Sequence, residues 1–583
     1  MSSSDLQTRN SRVPSQQGSR YQSDLAEYEL ESNRRLPFLL SLPEVKLLGI
    51  AGVGFFLDAY DLFIINPVAT MLQYRLYGGK ALPAGLQGFM KAGANIGSVI
   101  GQFGFGFAAD YWGRKAVYIS AHSDMSGADG KELMIIIFAT IMCISDPTGD
   151  LSPSGSLIWL AVFRIILGIG VGGDYPMSAS VTSDRSALKR RGTMLSYIFS
   201  FQGWGSFVGA IVTMIVLACY KSTMEAGHTS KVDGVWRIVI GLSLIPAFGT
   251  LYQRLTLPES TRFKESQHQH AHEEDIEDLK KKADADVASA DSASNEKNHA
   301  VAGERPASPR PATISTVTDA KKNHFREFVA YYREWRHFKI LLGTCVCWFL
   351  LDIAFYGINL NQNVVLQQIG FDGSSGSPWN RLFKIATGNL IITALGFVPG
   401  TCKATLSLSA AVIFILFFVW DAHDCCISYS GYYATVLTIE YLGRKWIQIQ
   451  GFLLAALFLG ILAGKFHTLG TVPFIVCFAF LQFFFNFGAN TTTYVYPAEV
   501  FPTKFKAASH GISAACGKAG AIISALGFNQ LSESIGTPAC LWIFFGCCIA
   551  GAVCTLLLPE VKDRDPDLLY QQELDEAAAR RHQ

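Results

Sequence analysis

The stretch Ala109-Asp110-Tyr111-Trp112-Gly113-Arg114-Lys115 returns as Ile439-Glu440-Tyr441-Leu442-Gly443-Arg444-Lys445. The seven positions keep one chemistry: small or apolar, acid, Tyr, apolar, Gly, Arg, Lys. Each copy follows one apolar stretch and leads into another. A helix-loop-helix repeated in the two halves of an apolar chain points to a membrane transporter built from internal repeats.

Outward from that repeat, the chain reads as membrane-spanning. Its 583 residues are 50% hydrophobic and only 16% charged, where soluble proteins carry roughly 25% charge. Apolar runs near or above the roughly 20 residues that cross a bilayer recur throughout. The first half holds Leu47–Met71, Leu86–Ala109, the short run Leu133–Ile144, Leu157–Val181, Met194–Cys219 and Trp236–Leu257. The second holds Phe338–Leu366, Leu382–Val398, Ile447–Ala463, Val472–Val500, Ala507–Leu526 and Cys540–Leu558. The expected architecture is an all-α polytopic membrane protein, with twelve transmembrane helices in two six-helix halves, 45–258 and 338–560.

A net charge of +1 identifies no partner and gives nucleic acid no footprint. The distribution of charge says more. Basic residues cluster at Arg114/Lys115, Arg185/Lys189/Arg190/Arg191, Arg444/Lys445 and Lys504/Lys506. The positive-inside rule puts these loops in the cytoplasm, together with the tail 1–44, the central loop 259–337 and the tail 561–583. Residues 1–36 are polar and carry no apolar h-region, so no cleavable signal peptide is expected. The thirteen cysteines show no metal or redox spacing; most sit in apolar runs, as Cys477, Cys547, Cys548 and Cys554 do, and read as small buried hydrophobes.

Residues 264–324 are rich in Ala, Ser, Asp, Glu, Lys and His and nearly free of aromatics. Such a stretch buries too little apolar area to offset ordering entropy, so a disordered linker is expected. Ser308-Pro309 and Lys280–Lys282 suit modification, which makes kinases or ubiquitin ligases the expected partners of this loop. The repeat also serves as a ruler. Leu86 to Gly113 spans 28 residues, whereas Leu382 to Gly443 spans 62. The excess is about one membrane helix and maps to 401–431; setting it aside joins Gly400 to Tyr432 and restores one apolar helix running into Glu440. Kept as a full crossing, 401–431 would make thirteen helices and move the second Gly-Arg-Lys loop to the wrong side. A polar run after Lys115 interrupts the first half in the same way. Segments 119–130 and 401–431 therefore read as insertions, with retained intervening sequence as their hypothesised source. A mature message encoding both would refute that source and leave an extra re-entrant segment as the alternative.

Carboxylates within membrane helices are costly and are functional candidates by default. Asp58 and Asp61 fall mid-span in the first helix, three apart and so on one face. Asp174 follows the run Gly168-Ile169-Gly170-Val171-Gly172-Gly173, and Asp352 lies in helix seven. The bland alternative for each acid is an ion pair with Arg or Lys that fixes helix packing. Trp348, Asp352, Tyr356 and Asn359 of helix seven are spaced four, four and three, which puts them on one face. Aromatics alone at this spacing mean core packing; an acid and hydrogen-bonding rings among them suggest a cavity wall. Gln202 in helix five and Asn486 and Asn490 in helix ten are amides at membrane depth, and Lys518 in helix eleven is a cation there. Many neutral donors with one positive charge suit a small polar anion. Gly168, Gly170, Gly172 and Gly173 permit close helix approach, and Pro176 permits a break. No Gly-Lys-Ser/Thr sequence accompanies them, so a nucleotide-phosphate loop is the wrong reading. There is no soluble catalytic domain and no metal-ligand cluster; neither enzymatic activity nor a metal or cofactor is expected.

The loop with Asp110, Gly113, Arg114 and Lys115, and its repeat with Glu440, Gly443, Arg444 and Lys445, resemble the signature loop of the major facilitator superfamily. Arg164 to Pro176 resembles its helix-four motif. Pro258-Glu259-Ser260-Thr261-Arg262 and Pro497-Ala498-Glu499-Val500-Phe501-Pro502 resemble helix-end motifs of the sugar-porter branch. More specific are Gly172-Gly173-Asp174-Tyr175-Pro176-Met177-Ser178 and Phe56-Leu57-Asp58-Ala59-Tyr60-Asp61. These resemble the phosphate:proton symporters, in particular fungal high-affinity inorganic phosphate transporters. The resemblance covers about residues 45–560, apart from the two insertions and the central loop.

That resemblance implies a symporter that imports inorganic phosphate with protons by alternating access, in the plasma membrane, with both termini cytoplasmic. It implies phosphate ligands at Tyr175, Gln202, Trp348, Asp352, Tyr356, Asn490 and Lys518. It implies proton-coupling acids at Asp58, Asp174 and Asp352, with Asp61 nearby. An ionised Asp352 beside a dihydrogen phosphate anion is repulsive; a proton on the acid, or a hydrogen bond from a phosphate hydroxyl, relieves this and couples the two ligands. A sugar or other organic-solute porter would share the loop motifs, but a neutral sugar has little use for Lys518 opposite Asp352. A phosphate-sensing transporter-receptor is the alternative from another class.

Overall fold

The computed structural model describes residues 35–36, 38–112, 131–255, 325–371, 373, 375–397 and 431–581. Gly113, Arg114 and Lys115, the stretch Pro258–Arg262, the linker 264–324 and both insertions, save Gly431, lie outside the described residues. The described chain is helical. The main elements are α1 Leu42–Phe63, α2 Ile65–Tyr77, α3 Ala84–Trp112, α4 Lys131–Ile144, α5 Pro153–Arg185 and α6 Arg191–Cys219. They continue with α7 Val232–Gly241, α8 Leu244–Leu255, α9 Trp335–Asn359, α10 Pro378–Phe397 and α11 Gly431–Leu442. The last are α12 Arg444–Gly464, α13 Thr471–Asn486, α14 Ala489–Val500, α15 Lys506–Ile535, α16 Thr537–Cys554 and α17 Pro566–Arg581. The described helices are consistent with the twelve expected spans. Four of the expected spans correspond to two helices each: α1 with α2, α7 with α8, α10 with α11, and α13 with α14.

Among the described residues, nine helical stretches are long and apolar enough to cross a bilayer. Leu457, Ile215 and Val553 point outward, more than half exposed, as a lipid-facing surface requires. The chain is an integral membrane protein. Three of the breaks were not expected from hydropathy, and each has a local cause. Pro67 and Pro246 fall in the first turn of α2 and α8, where a missing N–H is harmless and a preceding helix must stop. At Gly488 the backbone of span ten presses on span nine: a Cβ there would lie 2.5 Å from the Gly451 Cα. The break that Pro176 permits is not taken: α5 runs on through it from Pro153 to Arg185.

The two halves meet along α3 and α15. A Cβ on Gly511 would sit 2.3 Å from the Gln102 carbonyl oxygen, and one on Gly106 2.8 Å from that of Ala507. A Cβ on Gly88, nearer the other end, would sit 3.2 Å from the Ala525 carbonyl oxygen. These contacts fix an antiparallel register in which small residues let the backbones almost touch. Span eight shows a second register. Down α6, the Leu217 carbonyl accepts from Trp379 Nε1 at 2.7 Å, and Gly209 and Thr213 line one cavity with Asn389 and Thr393. Further down, Gln202 Oε1 accepts from Tyr432 Oη at 3.3 Å, and the Thr193 N–H donates to Glu440 Oε1 at 2.9 Å. Helix α11 thus resumes on α6 where α10 leaves off. Thr393 and Tyr432 are 39 positions apart in sequence, or 8 without 401–431, against 7 from Gly209 to Gln202 on the facing helix.

Candidate functional site

Helices α9 and α15 build the centre. Gly517 lets α15 close on α9, since a Cβ there would meet Trp348 Cδ1 at 2.4 Å. One residue on, Lys518 reaches into the seam with only 1% of its surface exposed. Its Nζ donates to Tyr356 Oη at 2.6 Å and lies 3.6 Å from Asp352 Oδ2. It also stands 4.4 Å from the Tyr356 ring centroid and 5.0 Å from that of Tyr175. Among the described residues Asp352 Oδ2 has no hydrogen-bond partner. A buried ammonium is thereby set against two ring faces and a carboxylate, an arrangement that costs desolvation unless something further satisfies it.

Neutral groups extend the cluster across the halves. The side chains of Tyr175 on α5 and Gln202 on α6 also reach the Tyr356 hydroxyl. Tyr432 Oη donates to Gln202 Oε1 and accepts from Asn490 Nδ2 at 2.9 Å, and Asn490 in turn donates to Asn486 Oδ1 at 2.9 Å. Trp348 stands beside the polar chain, 6.3 Å from Tyr175 and edge-on to His510 at 5.6 Å between ring centroids. Six of the seven expected ligands thus share one polar and charged cluster, and Trp348 walls it. Tyr432 is a member that sequence reasoning missed. It directly follows the segment set aside as an insertion, and no spacing rule reaches across that gap.

The acids divide. Asp58 is buried and acts electrostatically on both Tyr175 and Tyr356. Asp174 is buried on α5, one position before Tyr175. Asp61 faces elsewhere, toward Arg164 and Ser243 within the first half, and Arg164 Nη1 also donates to the Asp61 carbonyl at 3.0 Å.

The two repeated acids are placed alike. Asp110 accepts the N–H groups of Ala507 at 3.2 Å and Ala508 at 2.7 Å, in the first turn of α15. Glu440 accepts the Thr193 N–H, in the first turn of α6. Each repeat's acid therefore caps a helix of the opposite half, where orphan N–H groups and the helix dipole favour an anion. Glu440 also binds Arg444 Nη1 at 2.8 Å, and Arg444 grips Glu499 at 2.6 and 2.7 Å. Lys445 Nζ donates to the Leu558 carbonyl at 2.7 Å. Gly443 turns the loop at φ +83, with Glu560 Oε2 2.7 Å from where a Cβ would be. Nearby, Lys506 of α15 meets Asp184 of α5 at 2.9 Å, both fully buried.

At the other end of the seam, Asn66 Nδ2 donates to the Asn359 carbonyl at 2.9 Å and Lys91 Nζ to the Leu360 carbonyl at 2.5 Å. The cluster is enclosed from both ends. Phe63 stacks parallel to Tyr356 at 6.2 Å and separates it from a cavity of about 20 Å³ lined by Ser206, Gln362, Asn389 and Thr393.

The sugar (and other) transporter family matches residues 47–420 and 403–569. The chain belongs to this family. A putative inorganic phosphate transporter of Schizosaccharomyces pombe is 42% identical over 563 residues, covering 93% of this chain and 90% of its own length. The inorganic phosphate transporter PHO84 of Saccharomyces cerevisiae is 34% identical, over 92% of this chain and 86% of its own. The fold matches the major facilitator superfamily proton:xylose symporter XylE of E. coli with a TM-score of 0.59 at 17% identity, covering 91% of this chain and 98% of that one. The architecture is the major facilitator fold, and the protein is a transporter of that fold rather than an enzyme. Two six-helix halves around a midplane site are the arrangement that alternating access uses.

Proposed function

We propose that the chain is a proton-coupled symporter that imports inorganic phosphate by alternating access. The carrying observation is the buried Lys518 ammonium, 2.6 Å from Tyr356 Oη and 3.6 Å from Asp352, at the end of a chain of neutral donors. A dihydrogen phosphate anion gives Lys518 a counter-charge, and its oxygens accept from Tyr175, Tyr356, Gln202 and Asn490, with Trp348 as an apolar wall. Its hydroxyls, or a proton on Asp352, remove the repulsion between the two anions. Release of that proton through Asp58 and Asp174 links the substrate cycle to the proton gradient. Asp61, facing Arg164, serves better as a packing acid than as a relay. The names of the relatives support phosphate as the substrate. A neutral-sugar porter is disfavoured by the buried Lys518–Asp352 pair.

The same reading puts both termini and the loops carrying Arg444 and Lys445 in the cytoplasm and the protein in the plasma membrane. The central loop 259–337 is then available to kinases or ubiquitin ligases. Residues 45–258 and 338–560 are the two rocking halves, and 119–130 and 401–431 are insertions within them. The register of α10 and α11 along α6 supports the second of these.

Labelled phosphate uptake, with excess sugar as competitor, tests the function. The chain should accumulate phosphate, unaffected by sugar, and Lys518→Ala should lower kcat/KM by about 100-fold, as truncating one partner of a buried charge pair does. Uptake of a sugar in place of phosphate would contradict the reading. A chain lacking 401–431 should transport at least as well as the full chain; loss of folding on that deletion would show the segment to be integral.

A further inference from the structure

Lys91 lies on α3 with 3% of its surface exposed. Among the described residues its ammonium has one hydrogen-bond partner, the Leu360 carbonyl at 2.5 Å, and no carboxylate pairs with it. Leu360 caps the C-terminal end of α9, where unsatisfied carbonyls carry partial negative charge. Lys91 belongs to the first half and Leu360 to the second, so this contact crosses a seam that rocking must open. Once the halves part there, the carbonyl leaves and the ammonium faces the water-filled opening with no carboxylate among the described residues beside it, positioned to attract an incoming anion.

One turn along the same helix face lies Asn95. It is fully buried, and among the described residues neither its amide nitrogen nor its amide oxygen has a hydrogen-bond partner. Its place is set by the register of α3 on α15. Gly88 approaches Ala525 and Gly106 approaches Ala507; in that antiparallel pairing the position opposite Asn95 is Lys518. Lys91 sits one turn further from Lys518, level with the end of α9. Its partner Leu360 follows Tyr356 by four residues, about 6 Å of helix rise. A cation and an unsatisfied amide donor thus stand in line above the central cluster, at the end of the seam away from the basic loops.

We propose that Lys91 and Asn95 form a staging site for phosphate on α3, which takes the anion as that end opens and passes it to Lys518. The site rests on the phosphate reading above. In the closed state the Leu360 carbonyl stands in for a phosphate oxygen, so filling the staging site and closing the gate are mutually exclusive. The anion must move on to Lys518 before Lys91 can latch again. Its Asn95 amide nitrogen donates to a phosphate oxygen, and the amide oxygen accepts from a phosphate hydroxyl.

Uptake kinetics of the full chain in proteoliposomes, measured across ionic strengths, test this. Lys91→Met should raise KM for phosphate about tenfold with kcat within twofold, the loss of one charged contact, and should flatten the rise of KM with salt. Lys91→Arg should restore both, and Asn95→Leu should raise KM about threefold. A fall in kcat with KM and salt dependence unchanged would make Lys91 a latch only and overturn the proposal. A second measurement needs no variant. A water-soluble amine-acetylating reagent applied to the unmodified protein should label Lys91, and saturating phosphate should protect it; no labelling, or labelling indifferent to phosphate, overturns the site. Absence of phosphate uptake by the unmodified chain would instead sink the functional reading itself.

Discussion

The two ends of the seam between the halves are closed by different chemistry. At the basic-loop end, full charges do the joining: Lys506 pairs with Asp184, the Asp110 carboxylate caps the first turn of α15, and Glu440, held by Arg444 within its own half, caps that of α6. At the opposite end, side-chain donors meet backbone carbonyls: Asn66 with Asn359, Lys91 with Leu360, and Trp379 with Leu217. Buried ion pairs tie an interface in one geometry, because separating them strands charge in a low-dielectric setting. Carbonyl contacts are weaker and more easily exchanged for water. On the proposed function, the first end serves as a lock and the second as a catch.

The comparison is most readily broken at Arg444. Arg444→Ala leaves Glu440 and Glu499 buried without their shared cation, at a cost of about 3–5 kcal/mol. The purified variant should melt far below the unmodified protein, and a melting curve that is unchanged would show that the lock is ornamental. Gly443→Ala should cost less, about 1–2 kcal/mol, since it places a side chain at positive φ and against Glu560; thermal melting in detergent reads this as well. Asn66→Ala removes one neutral contact from the catch, worth about 1 kcal/mol. It should scarcely move the melt, yet should increase labelling of a cysteine placed at Gln362 by a water-soluble thiol reagent. Equal labelling with and without Asn66 would deny the catch its role.

The smallest effect concerns pH at the opposite end. Burial pushes the Asp146 carboxyl up to about 6, against the opposing influence of Ser156 and Arg237. A folded-state value above the unfolded one stabilises the protein at low pH, and that contribution is lost as pH rises from about 4 through about 6. Asp146→Asn should remove this slope from the melting temperature between those limits. The same slope in both proteins would assign it elsewhere.

Much of this architecture was legible because membrane helices declare themselves by composition. The repeat containing Asp110 and Glu440 located both halves, and the four-residue rhythm of Trp348, Asp352 and Tyr356 marked one wall of the cluster. Lys518 and Gln202 stood out as polar groups in apolar runs. What escaped notice required contact between distant segments. Tyr432 has no periodic partner, since 401–431 precedes it. Asp61 shares a face with Asp58 in sequence, yet it turns to Arg164 because α1 is wedged against α5 and α8. Lys91 stands in no motif or periodic pattern, and the carbonyl it reaches lies on the other half. The breaks at Pro67 and Pro246 were written in the sequence, but hydropathy averages over them.

The most direct test of the central claim is labelled phosphate accumulation in proteoliposomes under an imposed pH gradient, acid outside, comparing the unmodified chain with Asp352→Asn. The unmodified chain should concentrate phosphate and lose this on collapse of the gradient, while Asp352→Asn should show no gradient-driven accumulation though it still folds. Full retention of pH-driven accumulation by Asp352→Asn would contradict the account.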